Sequence, residues 1–247
     1  VSTTHWLASQ AGMAMLERGG NAFDAAAAAG FVLQIVEPHL NGPGGEVPVI
    51  FKRHDADEPV VLCAQGVFPK AATPAHFASL GLHQMPGTGL LPAVVPGAFD
   101  GWMRLLADHG SMRLRDVLEI AIGYALNGFP VVPRIAATIL AARDFMRDEW
   151  PSTGEVWLPS GEVPRPGAMM ATPAIAHTYL RILKEAEAAG GGRVGEIEAA
   201  RRVWYKGFVA EAIDRFYREA ELIDSTGKRH KGLLTGDDLA AYEARYE

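Results

Sequence analysis

The stretch Asn21 to Val49, NAFDAAAAAGFVLQIVEPHLNGPGGEVPV, constrains this chain more than any other. Asn21 is suited to cap a helix through its side-chain oxygen, and Asp24 at the third helical position places negative charge where free amides and the dipole favour it. From Ala25 to Val36 the one polar residue is Gln34, so the helix must be covered on nearly all sides. The run Ala25 to Ala29 followed by Gly30 keeps its girth small and lets a sheet or second helix come close. Glu37-Pro38 stops it, Asn41 to Gly45 turns the backbone, and Val47 onward reads as extended. The apolar run is shorter than the roughly 20 residues a bilayer crossing needs. No basic flank or stop-transfer pattern accompanies it, so no membrane partner is expected.

At 247 residues, 49% hydrophobic and 21% charged, the chain has a globular composition. A net charge of −6 argues against a general nucleic-acid surface. The basic cluster Lys228-Arg229-His230-Lys231 is short, lies between Gly227 and Gly232, and reads as a solvated loop. Cys63 is the single cysteine, which excludes an intramolecular disulfide or a cysteine metal knot but leaves the compartment open. Val1 is no initiator methionine and Glu247 follows a helix-like segment directly, so a piece of a larger polypeptide is expected.

Helical periodicity is expected over Trp6–Arg18, the alanine stretch, about Ala75–Leu80, Pro96 to Gly110, Leu114–Leu126, Ile135–Glu149 and Thr172 to Ala189. A long amphipathic helix, or two joined at Gly207, follows, with a short capped helix within Leu233 to Tyr242. Val47–Lys52 and Val60–Ala64 read as a hairpin, Val1–Thr4 as a strand end, and Leu90–Val95 as a short extended segment. Ser152–Gly167, rich in Gly and Pro, reads as a surface excursion or a hairpin, and Gly190 to Gly192 as a hinge. Alone this is a helix-rich α+β domain over residues 1–247 with too few strands for its size.

The residues themselves offer no complete catalytic set. Ser2-Thr3-Thr4-His5 suggests an N-terminal nucleophile, but Val1 stands in front, and a strand end leading into a helix cap is the favoured reading. Gly42-Pro43-Gly44-Gly45 lacks the Lys-Ser/Thr and following helix of a phosphate loop, and Glu46 beside it is a minor candidate for facing a site. The eight histidines show no HExxH and no carboxylate at metal spacing, so neither metal nor other cofactor is assigned. Asp237-Asp238 is explained by the dipole of a first helical turn, and the tryptophans are too dispersed for a ligand platform.

Several segments together resemble the large subunit of the gamma-glutamyltranspeptidase family. They are LASQAGMAMLERGGNAFDAAAAAGFVLQIVEPHLNGPGG (7–45), PAVVPGAFDGW (92–102), LRDVLEIAIGYALNGFPV (114–131), TPAIAHTYLRIL (172–183) and GLLTGDDLAAYEARY (232–246). The resemblance implies the αββα sandwich of the N-terminal-nucleophile hydrolases, of which this chain supplies an incomplete, helix-rich large subunit. It implies a precursor that cuts itself to free a Thr at the start of a small subunit. That Thr attacks a γ-glutamyl carbonyl, and the acyl group passes to water or an amino acid. No residue here matches the nucleophile's motif, so the chain alone is expected to be inactive and to require the small subunit as partner.

Two departures from the family pattern bear on the substrate. Typical members carry Arg-Glu-x-Ala-Pro after the second hairpin strand, and that arginine grips the substrate α-carboxylate as a bidentate pair. Here the run is Gln65-Gly66-Val67-Phe68-Pro69, so Gln65 takes the arginine's place as the substrate-binding candidate. A neutral amide forgoes a charge-assisted pair worth on the order of 1.5–3 kcal/mol. The shorter glycine run at Gly42 to Gly45 is the second departure. The expected activity is hydrolysis or transfer of a γ-glutamyl or related acyl amide. The alternatives are a cephalosporin-acylase-type amidohydrolase, which need not hold an α-carboxylate, or a non-catalytic binding module of the same fold.

Overall fold

The computed structural model describes residues 1–247. In chain order it contains α1 (Trp6–Glu17), α2 (Ala22–Val36), β1 (Val47–Phe51), β2 (Val60–Ala64), α3 (Pro74–Ser79), α4 (Ala98–His109) and α5 (Leu114–Asn127). Then come β3 (Phe129–Pro130), α6 (Pro133–Asp148), α7 (Pro151–Trp157), β4 (Met169–Met170), α8 (Pro173–Ala189), α9 (Gly192–Lys206) and α10 (Phe208–Glu219). The chain closes with β5 (Glu221–Ile223), β6 (Arg229–Lys231), α11 (Gly236–Ala240) and β7 (Arg245–Tyr246). No helix is long and apolar enough to cross a membrane.

Two compact units emerge, one from Val1–Pro43 with Trp102–Ala200 and one from Gly44–Gly101 with Arg201–Glu247. In the first, α1 packs on α2, α2 on α5 and α5 on α8. Phe31, Val32, Ile35 and Val36 are fully or almost fully buried along α2. A Cβ added at Gly30 would lie 2.3 Å from Trp102 Cζ2, and one at Gly12 would lie 3.0 Å from the Ala25 carbonyl oxygen. Small residues are what admit these neighbours. Coverage is less complete than the sequence suggests: Ala22 and Ala26 are exposed and Gly30 and Leu33 half-buried, leaving one stripe of α2 open.

Asn21 caps α2 as expected, and Asp24 completes the capping box by accepting the Asn21 N–H at 2.8 Å. Asp24 does more than complement a dipole. Fully buried, it also accepts the Ser111 hydroxyl at 2.7 Å and the Met112 N–H at 3.1 Å, tying α2 to the α4–α5 turn.

In the second unit β1, β2 and β7 form an antiparallel sheet in that order, with Val47 opposite Ala64 and Leu62 opposite Tyr246. The hairpin was legible in the sequence, whereas β7, two residues near the end of the chain, was not. Leu62 and Ala64 are buried beneath the sheet, while Ile50 is 72% exposed on the other face of β1.

Several local readings are corrected. Of the two readings of residues 152–167, the surface excursion holds and the hairpin does not: most of α7 and a 3-10 turn at Pro159–Gly161 lie there, largely exposed, because Pro151 sits at a helix start and Gly154 packs against the Met146 carbonyl. The basic cluster is no loop: Arg229–Lys231 is a strand paired with Glu221–Ile223. Its turn is pinned by Asp224, which takes His230 Nδ1 at 2.7 Å and the Thr226 N–H at 2.8 Å. Burial opposes the Asp224 charge, yet these partners together hold its carboxyl below the usual range. Leu90–Val95 and Val1–Thr4 form no strand. Leu90 and Leu91 are buried by side-chain packing, and Val95 bonds once to the chain, at the Val67 carbonyl.

Candidate functional site

The geometry around Gln65 begins with the hairpin. Because Val47 pairs with Ala64, Glu46 and Gln65 emerge at the same end of the β1–β2 pair. The chain there is gripped at backbone level. A Cβ on Gly66 would fall 2.0 Å from the Val95 carbonyl oxygen, and one on Gly97 would fall 2.3 Å from the Ala64 carbonyl oxygen. Both contacts exclude any larger residue. Gly97 and Ala98 donate their N–H groups to the Gly45 carbonyl at 3.0 and 2.9 Å, which closes the glycine turn onto the start of α4. Tyr242 donates its hydroxyl to the Gln65 carbonyl at 3.1 Å.

A buried polar cluster supports this arrangement. Asp100 accepts Arg201 Nε at 2.6 Å and the Ala244 N–H at 2.7 Å, with its side chain 2% exposed and that of Arg201 13%. Tyr205 donates to the Pro96 carbonyl at 2.6 Å and accepts the Asp100 N–H at 3.2 Å. Burial is the largest influence raising the Tyr205 and Tyr242 hydroxyls above their ordinary pKa, with the Asp100 charge adding to it. Both therefore stay protonated and able to donate at neutral pH. Glu46 and Cys63 lie near enough to push Tyr242 further in the same direction.

Gln65 thus has a fixed backbone and an exposed side chain. Its amide meets Cys63 Sγ at 3.9 Å, a weak contact that leaves the head group available to a ligand. Glu46, also exposed, stands at the same end of the hairpin. The other sequence candidates have structural roles. His5 caps α1 by accepting the Leu7 N–H on Nδ1 at 3.2 Å, and Thr4 donates its hydroxyl to the buried Glu37. Asp238 accepts the Thr235 hydroxyl at 2.6 Å and the Lys70 N–H at 3.0 Å, so it anchors the loop after Gln65 as well as capping α11. The dipole alone does not account for it. No group of three or more His, Cys, Asp or Glu is arranged to hold a metal ion.

Asp100, Arg201, Tyr205 and Tyr242 escaped the sequence reading. Over a hundred positions separate Asp100 from Tyr205, and no local spacing announces such a cluster.

The profile of the gamma-glutamyltranspeptidase family matches residues 8–247. The chain belongs to this family. Among curated relatives, the oxamate amidohydrolase proenzyme of Klebsiella pneumoniae is 35% identical over 185 residues, 72% of this chain and 34% of that protein. The acylase ACY 1 proenzyme of a Pseudomonas strain is 35% identical over 210 residues, 79% of this chain and 36% of that protein. The chain thus spans about a third of the length of these relatives. A solved structure of LmbA2991 is similar at a TM-score of 0.96 and 52% identity, covering 99% of this chain and 42% of that one. The gamma-glutamyltranspeptidase of Helicobacter pylori is similar at a TM-score of 0.83 and 27% identity, covering 100% and 64%. The chain carries the helix-rich large-subunit portion of the N-terminal-nucleophile hydrolase fold.

Proposed function

We propose that this chain is the large-subunit part of a two-chain amidohydrolase or acyltransferase, and that Gln65 meets the acyl portion of its substrate. The nucleophile is a Thr at the N-terminus of a small subunit, freed when a precursor is cut. That Thr attacks the amide carbonyl, the amine leaves, and water or an amino acid takes the acyl group from the acyl-enzyme. The relatives' naming as proenzymes supports the cut precursor. The observation that carries the reading is the exposed Gln65 head group at a backbone-clamped strand end, where a family arginine would supply charge.

The test is Gln65→Arg in the whole processed protein, assayed on γ-glutamyl and butyryl anilides. The first carries an α-carboxylate and the second does not. If Gln65 faces the substrate, kcat/KM for the γ-glutamyl compound rises by about 10- to 100-fold, the worth of one charged hydrogen-bonded pair, while the butyryl value stays put. An unchanged or reduced γ-glutamyl value removes Gln65 from the acyl site.

The acylase relative and the similar solved cephalosporin acylase of Bacillus halodurans favour a second reading within the same chemistry, a cephalosporin-acylase-type enzyme that need not hold an α-carboxylate. In that case the unsubstituted protein already prefers the butyryl compound. Intact masses of every polypeptide in the purified sample, with N-terminal sequencing, separate both from a non-catalytic module. A second chain beginning with Thr supports the enzyme, and an uncut chain without one supports the module. The same reading keeps Gly190–Gly192 as a hinge of the large subunit, since Gly190 and Gly191 between α8 and α9, and Gly192 at the start of α9, all have positive φ. Their amides should exchange independently of global unfolding, and protection at the level of α8 would refute the hinge.

A further inference from the structure

A cleft of about 550 Å³ opens in the first unit between the end of α2, α7 and the start of α8. That volume is within the range that small-molecule sites occupy. Its walls are largely apolar, with Ile35, Val156, Trp157 and Ile175 among them. Besides the exposed Asn41, two polar side chains on it have hydrogen-bonding capacity that the fold does not use.

Gln34 is one. It is 8% exposed, and its Oε1 accepts the hydroxyl of the wholly buried Tyr179 at 2.8 Å. That is the one hydrogen bond its side chain makes, and in the assigned orientation Nε2 is left with its donors unspent. Thr172 is the other. It stands at the N-cap of the 17-residue helix α8, yet its hydroxyl makes no capping bond. Its Oγ1 is buried without a partner, an arrangement that costs stability. No hydrogen bond fixes its rotamer, and a turn to another staggered well would place the hydroxyl where the methyl group or the Cβ hydrogen now stands. The one charged residue of the lining is Glu155, which is exposed at the rim and disfavours an anion.

We propose that this cleft binds a small uncharged acyl amide. Its carbonyl oxygen accepts from Gln34 Nε2 and the rotated Thr172 hydroxyl, and its apolar chain lies against Trp157. The proposal stands apart from the role given to Gln65 and survives if that role fails.

The experiment uses the whole processed protein with fluorine-labelled tryptophan, Trp157→Phe identifying the Trp157 resonance. Hexanamide, hexanoate and hexylammonium are titrated separately. Hexanamide should shift the Trp157 resonance saturably, and the two ions should bind at least about tenfold more weakly. Thr172→Val should weaken hexanamide between about twofold and tenfold, the worth of one neutral hydrogen bond, while raising Tm because an unpaired hydroxyl is gone. A purely structural residue would not show that opposed pair of effects. Gln34→Glu keeps an acceptor for Tyr179 but removes the donor, and should weaken hexanamide similarly; if it fails to fold, Thr172→Val alone decides. Equal affinity for all three probes, tighter binding of hexanoate, or unchanged binding in Thr172→Val overturns the proposal. So does the absence of any saturable shift, which would mean that the protein's own chain fills the cleft.

Discussion

Gly97 and Gly123 make opposite predictions from the same substitution. A Cβ at Gly97 would lie 2.3 Å from the Ala64 carbonyl oxygen and 2.6 Å from the Tyr242 hydroxyl oxygen, and a backbone oxygen has nowhere to retreat. Gly97→Ala should cost about 3 kcal/mol in urea denaturation and disturb the position of Gln65. Gly123 in α5 has open space where a Cβ would be built, so Gly123→Ala should stabilise by up to about 1 kcal/mol through helix propensity. Asp100→Asn removes the buried carboxylate charge that meets Arg201 Nε at 2.6 Å and should cost about 3 kcal/mol.

His5 gives a pH signature at the same scale. Burial lowers its pKa, with the Glu37 charge partly opposing, and Nδ1 must be unprotonated to accept the Leu7 N–H. The unfolded chain therefore binds more protons near pH 6 than the folded one, so stability rises with pH there. The contribution is complete above the ordinary histidine value of about 6.5 and is lost as pH falls through the folded value. His5→Asn retains a capping side chain and removes the titration. Subtracting its pH–stability profile from that of the unsubstituted protein should give a difference confined to the region below about pH 7. A flat difference would separate His5 from acid sensitivity.

Among the elements, α2 is the clearest case of local sequence determining local structure. Asn21→Ala should cost about 1 kcal/mol, as loss of an N-cap does. Asp24→Ala should cost more, about 3 kcal/mol, because the Ser111 and Met112 groups it serves lose a buried partner together. Thermal or urea unfolding of both variants checks the order. The cap of α2, the hairpin and the Gly207 joint between α9 and α10 were legible because each depends on neighbours within a few residues. The two-residue strand β7 was not, since it exists only through pairing with β2. Nor was α7, whose Gly-and-Pro composition signals a turn until Pro151 is seen to start a helix and Gly154 to meet the Met146 carbonyl.

Across the whole molecule, large apolar side chains remain exposed. Ile50 is 72% exposed on β1, and Val67 and Phe68, just beyond Gln65, are 54% and 56% exposed. A single exposed apolar residue is ordinary, but Val67 and Phe68 adjoin in the chain, and contiguous apolar surface marks a contact face. The 247-residue chain alone should therefore bind a hydrophobic dye strongly, and the whole processed protein should bind it less. Equal dye binding would argue that these residues are solvated in both.

By itself, the sequence determined most of the helices and the cap of α2, the β1–β2 hairpin with Gln65 directly after it, and the family, because short-range periodicity, capping chemistry and motif order are written along the chain. Only the tertiary structure decided that Gly66 and Gly97 clamp the strand end, that Asp100 meets Arg201, and that Gln34 and Thr172 line one cleft. Those pairings join residues up to about a hundred and forty positions apart. Burial and close packing, which make an unpaired charge or an extra methyl costly, are properties of the folded neighbourhood and not of any one segment.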